Sequence, residues 1–233
     1  LVAFVYIMVI AAAMFLLMAK PLTAKVMDPQ DFDRRRNLWL AVTAITFLAH
    51  SFWLAALLCG IVIAFGSRRE TNPAATYCAL LFAVPQFPMQ IPGLGVVNQL
   101  FELDHPRLLA LVLLLPAALK LMGAPRAPNP TLRVADTLFV AYFGYGFVVH
   151  ATADSLTGLM RYALYVVLDQ ALLYYVITRS VVSLRGLTDV MASYVMGVAV
   201  ICAIAVFENL RSWLVFESLR APLGVPPPDH CRT

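Results

Sequence analysis

Charge is what this chain has least of. Only 13% of its 233 residues are Asp, Glu, Lys or Arg, against about 25% in soluble domains. Residues 38–66 contain none of the four, and only His50 there titrates near neutrality. Cysteine is scarce as well. Cys59, Cys78, Cys202 and Cys231 form no C-x-x-C pair, which removes the usual zinc and dithiol signatures; the first three lie in apolar runs as small fillers. No G-x-S-x-G, H-E-x-x-H or Walker loop is present, and Gly93-Leu94-Gly95 is too short for a nucleotide motif. No basic cluster interleaves with aromatic residues, which excludes single-strand nucleic-acid binding. The sequence thus calls for no metal, no cofactor and no nucleic-acid partner.

What the chain has is apolar length. Hydrophobic residues make up 61% and mean hydropathy is +0.81. Seven runs are apolar enough for a bilayer: 2–18, 38–65, 76–91, 106–122, 134–152, 162–178 and 189–207. About 20 residues of helix cross a hydrocarbon core about 30 Å thick. Spanning segments must satisfy their backbone internally, as helices or closed barrels do, and barrel strands would be shorter and alternating. The expected fold is an all-α, polytopic transmembrane helix bundle of about seven spans. It occupies residues 1–220, with an irregular tail over 221–233. The chain opens with Leu1 inside an apolar run that lacks a basic leader. A fragment of a longer protein is therefore expected.

Loop charges orient the bundle. Basic residues fall in 20–37, 67–75, 123–133 and 179–187, whereas 92–105 and 153–161 carry little besides Arg161. Basic loops stay cytoplasmic, so Arg126 and Arg185 are expected there. The pI near 9.0 reflects loops facing anionic headgroups. The first loop contradicts the rest, because Arg34, Arg35 and Arg36 would then lie outside. Trp39 beside them reads as a headgroup anchor. Pro85, Pro88 and Pro92 break the third run. Either the span ends near Val84, or a re-entrant element lines a cavity.

Three residues are candidates for chemistry. Asp169 lies mid-run in 162–178, where an acid costs about 2.5–3.5 kcal/mol to insert. It is expected to face the bundle interior with a partner, either handling substrate or protons or pinning two helices. His50, in the charge-free run, is either a neutral imidazole bonded across helices or part of a relay with Asp169. Arg161 opens a helix, where it either meets a phosphate or snorkels to the headgroups. Tyr162, Tyr165, Tyr174 and Tyr175 bracket the sixth run as two interfacial belts.

Two segments carry a resemblance. IPGLGVVNQLFELDHPRLLALVLLLPAAL (91–119) and SLTGLMRYALYVVLDQALLYYVITRS (155–180) resemble the amino-terminal half of bacterial O-antigen ligase and O-antigen polymerase-like membrane proteins. In the second segment Arg161, Asp169, Tyr174, Tyr175 and Arg179 occupy the pattern's places, and Leu173 stands where a proline is expected. The resemblance implies a multi-pass bacterial inner-membrane protein of cell-surface polysaccharide biosynthesis. Its partners would be the lipid bilayer and an undecaprenyl-diphosphate-linked glycan, and the lipid diphosphate would be the leaving group. Such transfer asks for cations near the departing charge and a base for the acceptor hydroxyl. In that family these groups belong mainly to a large external loop of the other half, so no catalytic residue is assigned and this portion is expected to be inactive alone. A transporter or flippase, and a non-catalytic membrane assembly subunit, stand as alternatives.

Overall fold

The computed structural model describes residues 2–92, 99–123 and 130–225. Gly93, Gly95, Arg126, Cys231 and the tail from residue 226 lie outside the described residues. The architecture is all-helical apart from one small hairpin. The helices are α1 (Val2–Lys25), α2 (Pro29–Leu48), α3 (Phe52–Gly66), α4 (Pro73–Leu80), α5 (His105–Leu109), α6 (Leu115–Met122), α7 (Pro130–Ala153), α8 (Leu156–Tyr165), α9 (Leu172–Ser180), α10 (Leu184–Arg211) and α11 (Arg220–Leu223). Strands β1 (Met89–Pro92) and β2 (Gln99–Leu103) pair antiparallel, Met89 opposite Leu103. Two π turns, Ala110–Leu114 and Val166–Ala171, join α5 to α6 and α8 to α9 as continuous helices. Among the described residues, four stretches are long and apolar enough to cross a membrane: Val2–Ala24, His105–Met122, Leu132–Ala153 and Leu184–Arg211. Their outward faces carry large apolar side chains such as Val9, Leu16, Leu138, Tyr145, Val195 and Val206. On a soluble protein such exposure would be an aggregation hazard. Against lipid it is a solvated surface.

The run 38–65, expected as one span, is two helices. Helix α2 starts three residues before Phe32, where Asp28 caps it by accepting from the Gln30 amide at 2.8 Å and Pro29 supplies the first-turn geometry. It ends at Leu48. Ser51 then caps α3 by accepting from the Leu54 amide at 3.3 Å, and α3 packs back along α2. The charge-free sequence therefore hides a helical hairpin whose only signals are the polar pair His50-Ser51. This corrects two readings. Arg34, Arg35 and Arg36 belong to α2, and the hairpin returns the chain to their end, beside Arg68 and Arg69. Arg34 Nη1 donates to the Arg69 carbonyl at 3.3 Å. The charge pattern of the first loop then agrees with the others. Trp39 is not a headgroup anchor but fully buried, edge-on to Phe15 at 5.5 Å.

Helix directions alternate between two ends. The N-termini of α2, α4 and α10 and the C-terminus of α3 meet at a basic end, tied by Arg35, Glu70, Asn72 and Asp189. At the far end, Tyr6 of α1 stacks on Phe207 of α10 at 5.0 Å. There Leu219, Leu223 and Val225, the last two in a segment expected to be irregular, pack with Ala49, Ala55 and Phe87. The third run keeps only the short helix α4 before running extended through Pro85 and Pro88 into β1. Its freed carbonyls find donors in the core: His105 Nε2 lies 2.9 Å from the Leu80 oxygen, and Thr43 Oγ1 donates to Ala83 at 3.0 Å. Irregular backbone deep in a bundle survives where protein satisfies it in this way.

Helix α10 lies against α4 at Gly197, where an added Cβ would sit 3.0 Å from the Ala79 carbonyl oxygen and 3.3 Å from the Phe82 ring. Gly197→Leu is expected to lower stability by about 1–3 kcal/mol through overpacking. Thermal unfolding in detergent micelles measures this, and an unchanged midpoint would show that the contact is not close-packed.

Candidate functional site

Asp169 has a partner, and it is Arg107. Asp104 caps α5, its Oδ1 accepting from the Arg107 amide at 2.9 Å, and this sets Arg107 on the first turn. The guanidinium then reaches Asp169 in the π turn of the 156–180 helix. Nε donates to Oδ1 at 3.0 Å and Nη2 to Oδ2 at 3.0 Å, the two-point geometry a planar guanidinium makes with a carboxylate. Nη1 donates to the Glu102 carbonyl at 2.6 Å and lies 3.8 Å from Asp104 Oδ2. The Tyr165 ring stacks beneath the guanidinium at 4.0 Å, and its hydroxyl accepts from the Glu102 amide at 3.1 Å. Tyr165 thus clamps strand β2 to the 156–180 helix. An arginine has five N–H groups, so one on each terminal nitrogen remains for a ligand.

The pair lies at the wall of a cleft of about 580 Å³, within the usual range for ligand sites. Tyr77, Phe82, Pro85 and Gln86 line it from α4 and the extended segment, and Asp104, Arg107 and Asp169 supply charge. Asp169 is the more accessible partner, its side chain 34% exposed against 13% for Arg107. Burial pushes the Asp104 carboxyl above its ordinary range. Two carboxylates face one guanidinium, so the lining is net acidic. The two π turns touch, and the second, which carries Asp169, widens the helical register at that residue.

Of the other sequence candidates, neither joins the cleft. His50 is exposed in the turn between α2 and α3 rather than mid-span; a relay with Asp169 is not what the fold builds. Arg161 is half-buried on α8, eight residues before Asp169, and is not among the lining residues. The tyrosines expected as belts are bonded or stacked within the bundle. Tyr174 donates to Asp136 at 3.0 Å, Arg179 lies over Tyr175 at 4.1 Å, and Tyr162 stacks on His150 at 3.9 Å. Arg107 was legible in part: it and Lys120 are the two basic residues of the run 106–122, as Asp169 is the one acid inside 162–178, and opposite charges in separate spans call for each other.

A second charged cluster closes the basic end. Arg35, fully buried, donates through Nη1 to Asp189 Oδ1 and Ser193 Oγ, both at 2.7 Å, and through Nη2 to Glu70 Oε1 at 2.6 Å. Asn72 Nδ2 adds a bond to Asp189 at 3.1 Å. Asp31 is bridged to Arg34 Nη1 at 2.8 Å. Among the described residues no three His, Cys, Asp or Glu side chains converge as metal ligands do. No protein-family model, curated protein or solved structure matches the chain.

Proposed function

We propose that this chain is the membrane portion of a bacterial inner-membrane protein that transfers lipid-diphosphate-linked glycan in surface polysaccharide assembly, and that the Arg107–Asp169 cleft receives the glycan. In this reading α2, α3 and the 156–180 helix cross the membrane with the four longer apolar stretches. That makes seven helical passes, plus a broken one through α4. The basic end is cytoplasmic, and the cleft opens toward the other side.

The observation that carries the reading is the chemistry of the lining. Carboxylates accept hydrogen bonds from sugar hydroxyls, and the spare guanidinium N–H groups donate to them. The Tyr77 and Phe82 rings offer apolar faces to sugar C–H groups. A diphosphate would meet the net acidic lining unfavourably, so the sugar rather than the leaving group belongs here. One observation favours a transporter instead: two charged clusters, Arg35–Glu70–Asp189 and Arg107–Asp169, stand at different depths of one bundle.

Binding separates the readings. Purified chain in nanodiscs is expected to bind an undecaprenyl-diphosphate-linked oligosaccharide at least tenfold more tightly than undecaprenyl diphosphate alone. Asp169→Asn, which keeps the side-chain shape, is expected to remove that preference. Equal affinity for the two lipids would overturn the assignment, and uptake of a soluble solute by proteoliposomes would replace it with transport.

A further inference from the structure

At the basic end, away from the glycan cleft, a second groove of about 390 Å³ runs between α3 and α6. Its wall is apolar: Val112, Pro116, Ala117 and Leu121 on one side, Ala64 on the other. Charge appears only where the groove leaves the bundle. Arg68 stands two residues beyond the end of α3, its guanidinium 4.2 Å over the Phe65 ring. Lys120 lies in the last turn of α6, and both cations are exposed. Glu70 also borders the groove, but its side chain is 1% exposed and its oxygens are held by Arg34 and Arg35. The Ser180 hydroxyl on the lining is buried with no hydrogen-bond partner among the described residues. A buried hydroxyl without a partner is costly, and an acceptor oxygen from a ligand would satisfy it.

We infer that this groove binds the headgroup of an anionic phospholipid, with the phosphate between Arg68 and Lys120 and one acyl chain along the α6 wall. A free phosphate would use the cations and leave the apolar wall unfilled. A zwitterionic headgroup would bring its own cation against Arg68 and Lys120. Basic pockets between helices on the cytoplasmic side select anionic lipids in this manner. The site shares no lining residue with the glycan cleft, so the two assignments stand or fall separately.

Native mass spectrometry of the full chain from detergent tests it, with phosphatidylglycerol, phosphatidylcholine and inorganic phosphate as probes. Wild-type chain is expected to retain one phosphatidylglycerol at least tenfold more tightly than phosphatidylcholine. The double variant Arg68→Gln/Lys120→Gln is expected to lose that difference. Arg185→Gln, exposed at the same end but outside the groove, is expected to keep it. The inference is overturned if the double variant retains the lipid as wild type does, if both lipids bind equally, or if millimolar phosphate displaces the lipid.

Discussion

Arg35→Met is expected to destabilise the protein by about 3–5 kcal/mol, the usual cost of stranding a buried charge. Arg35 is fully buried and is the shared counterion of Glu70, 1% exposed, and Asp189, 16% exposed. Removing it leaves two carboxylates facing each other between α4 and α10 with no cation bonded to both. The methionine fills similar volume, so packing loss is small and the charge dominates. Three helices and the α3–α4 connection meet there, and the effect is expected to be global rather than local. The triple variant Arg35→Met/Glu70→Gln/Asp189→Asn is expected to recover most of the loss, because the stranded charges go with it. Thermal unfolding in detergent micelles measures both. A midpoint for Arg35→Met within a degree or so of wild type would show that water reaches the cluster.

Arg107→Leu is the second large effect. It leaves Asp169 in the bundle without a counterion, where an acid at mid-depth costs about 2.5–3.5 kcal/mol. Asp169 is 34% exposed into the cleft, and cleft water screens the stranded charge. The loss is therefore expected to be smaller than that of Arg35→Met. The double variant Arg107→Leu/Asp169→Leu is expected to be more stable than Arg107→Leu alone, with a coupling of about 1–3 kcal/mol in a double-mutant cycle. Strictly additive losses would mean that the two side chains do not pair. The same variants separate stability from function. The double variant restores the inserted fold but removes both groups that the glycan reading assigns to the sugar, so glycan binding is expected to stay lost.

The helical class and the apolar character were legible because they depend on residue type counted over long windows. Hydropathy averages over 20 residues, and the long stretches 2–24 and 184–211 follow directly from it. The hairpin α2–α3 was not legible for the same reason. A window slides over His50-Ser51 without registering that a polar pair and an N-cap divide the 28-residue run 38–65 between two helices. The broken third run was legible as a break from its prolines. Which atoms satisfy the freed carbonyls was not, since Thr43 and His105 come from helices far along the chain.

The site divides similarly. Sequence singled out Asp169 because a lone acid in an apolar run demands a partner. It offered Arg161 because an arginine at a helix start meets a phosphate there, whereas α8 begins at Leu156 and places Arg161 in its interior. Only the tertiary structure brings Arg107, 62 residues away in sequence, onto Asp169, and Arg35 onto Asp189, 154 residues away. Composition and hydropathy by themselves determined that the chain is helical, apolar and basic at alternate loops, because the solvation energy of a side chain depends on its type. Which charge neutralises which, and where clefts are left between helices, depends on distances that the fold alone sets.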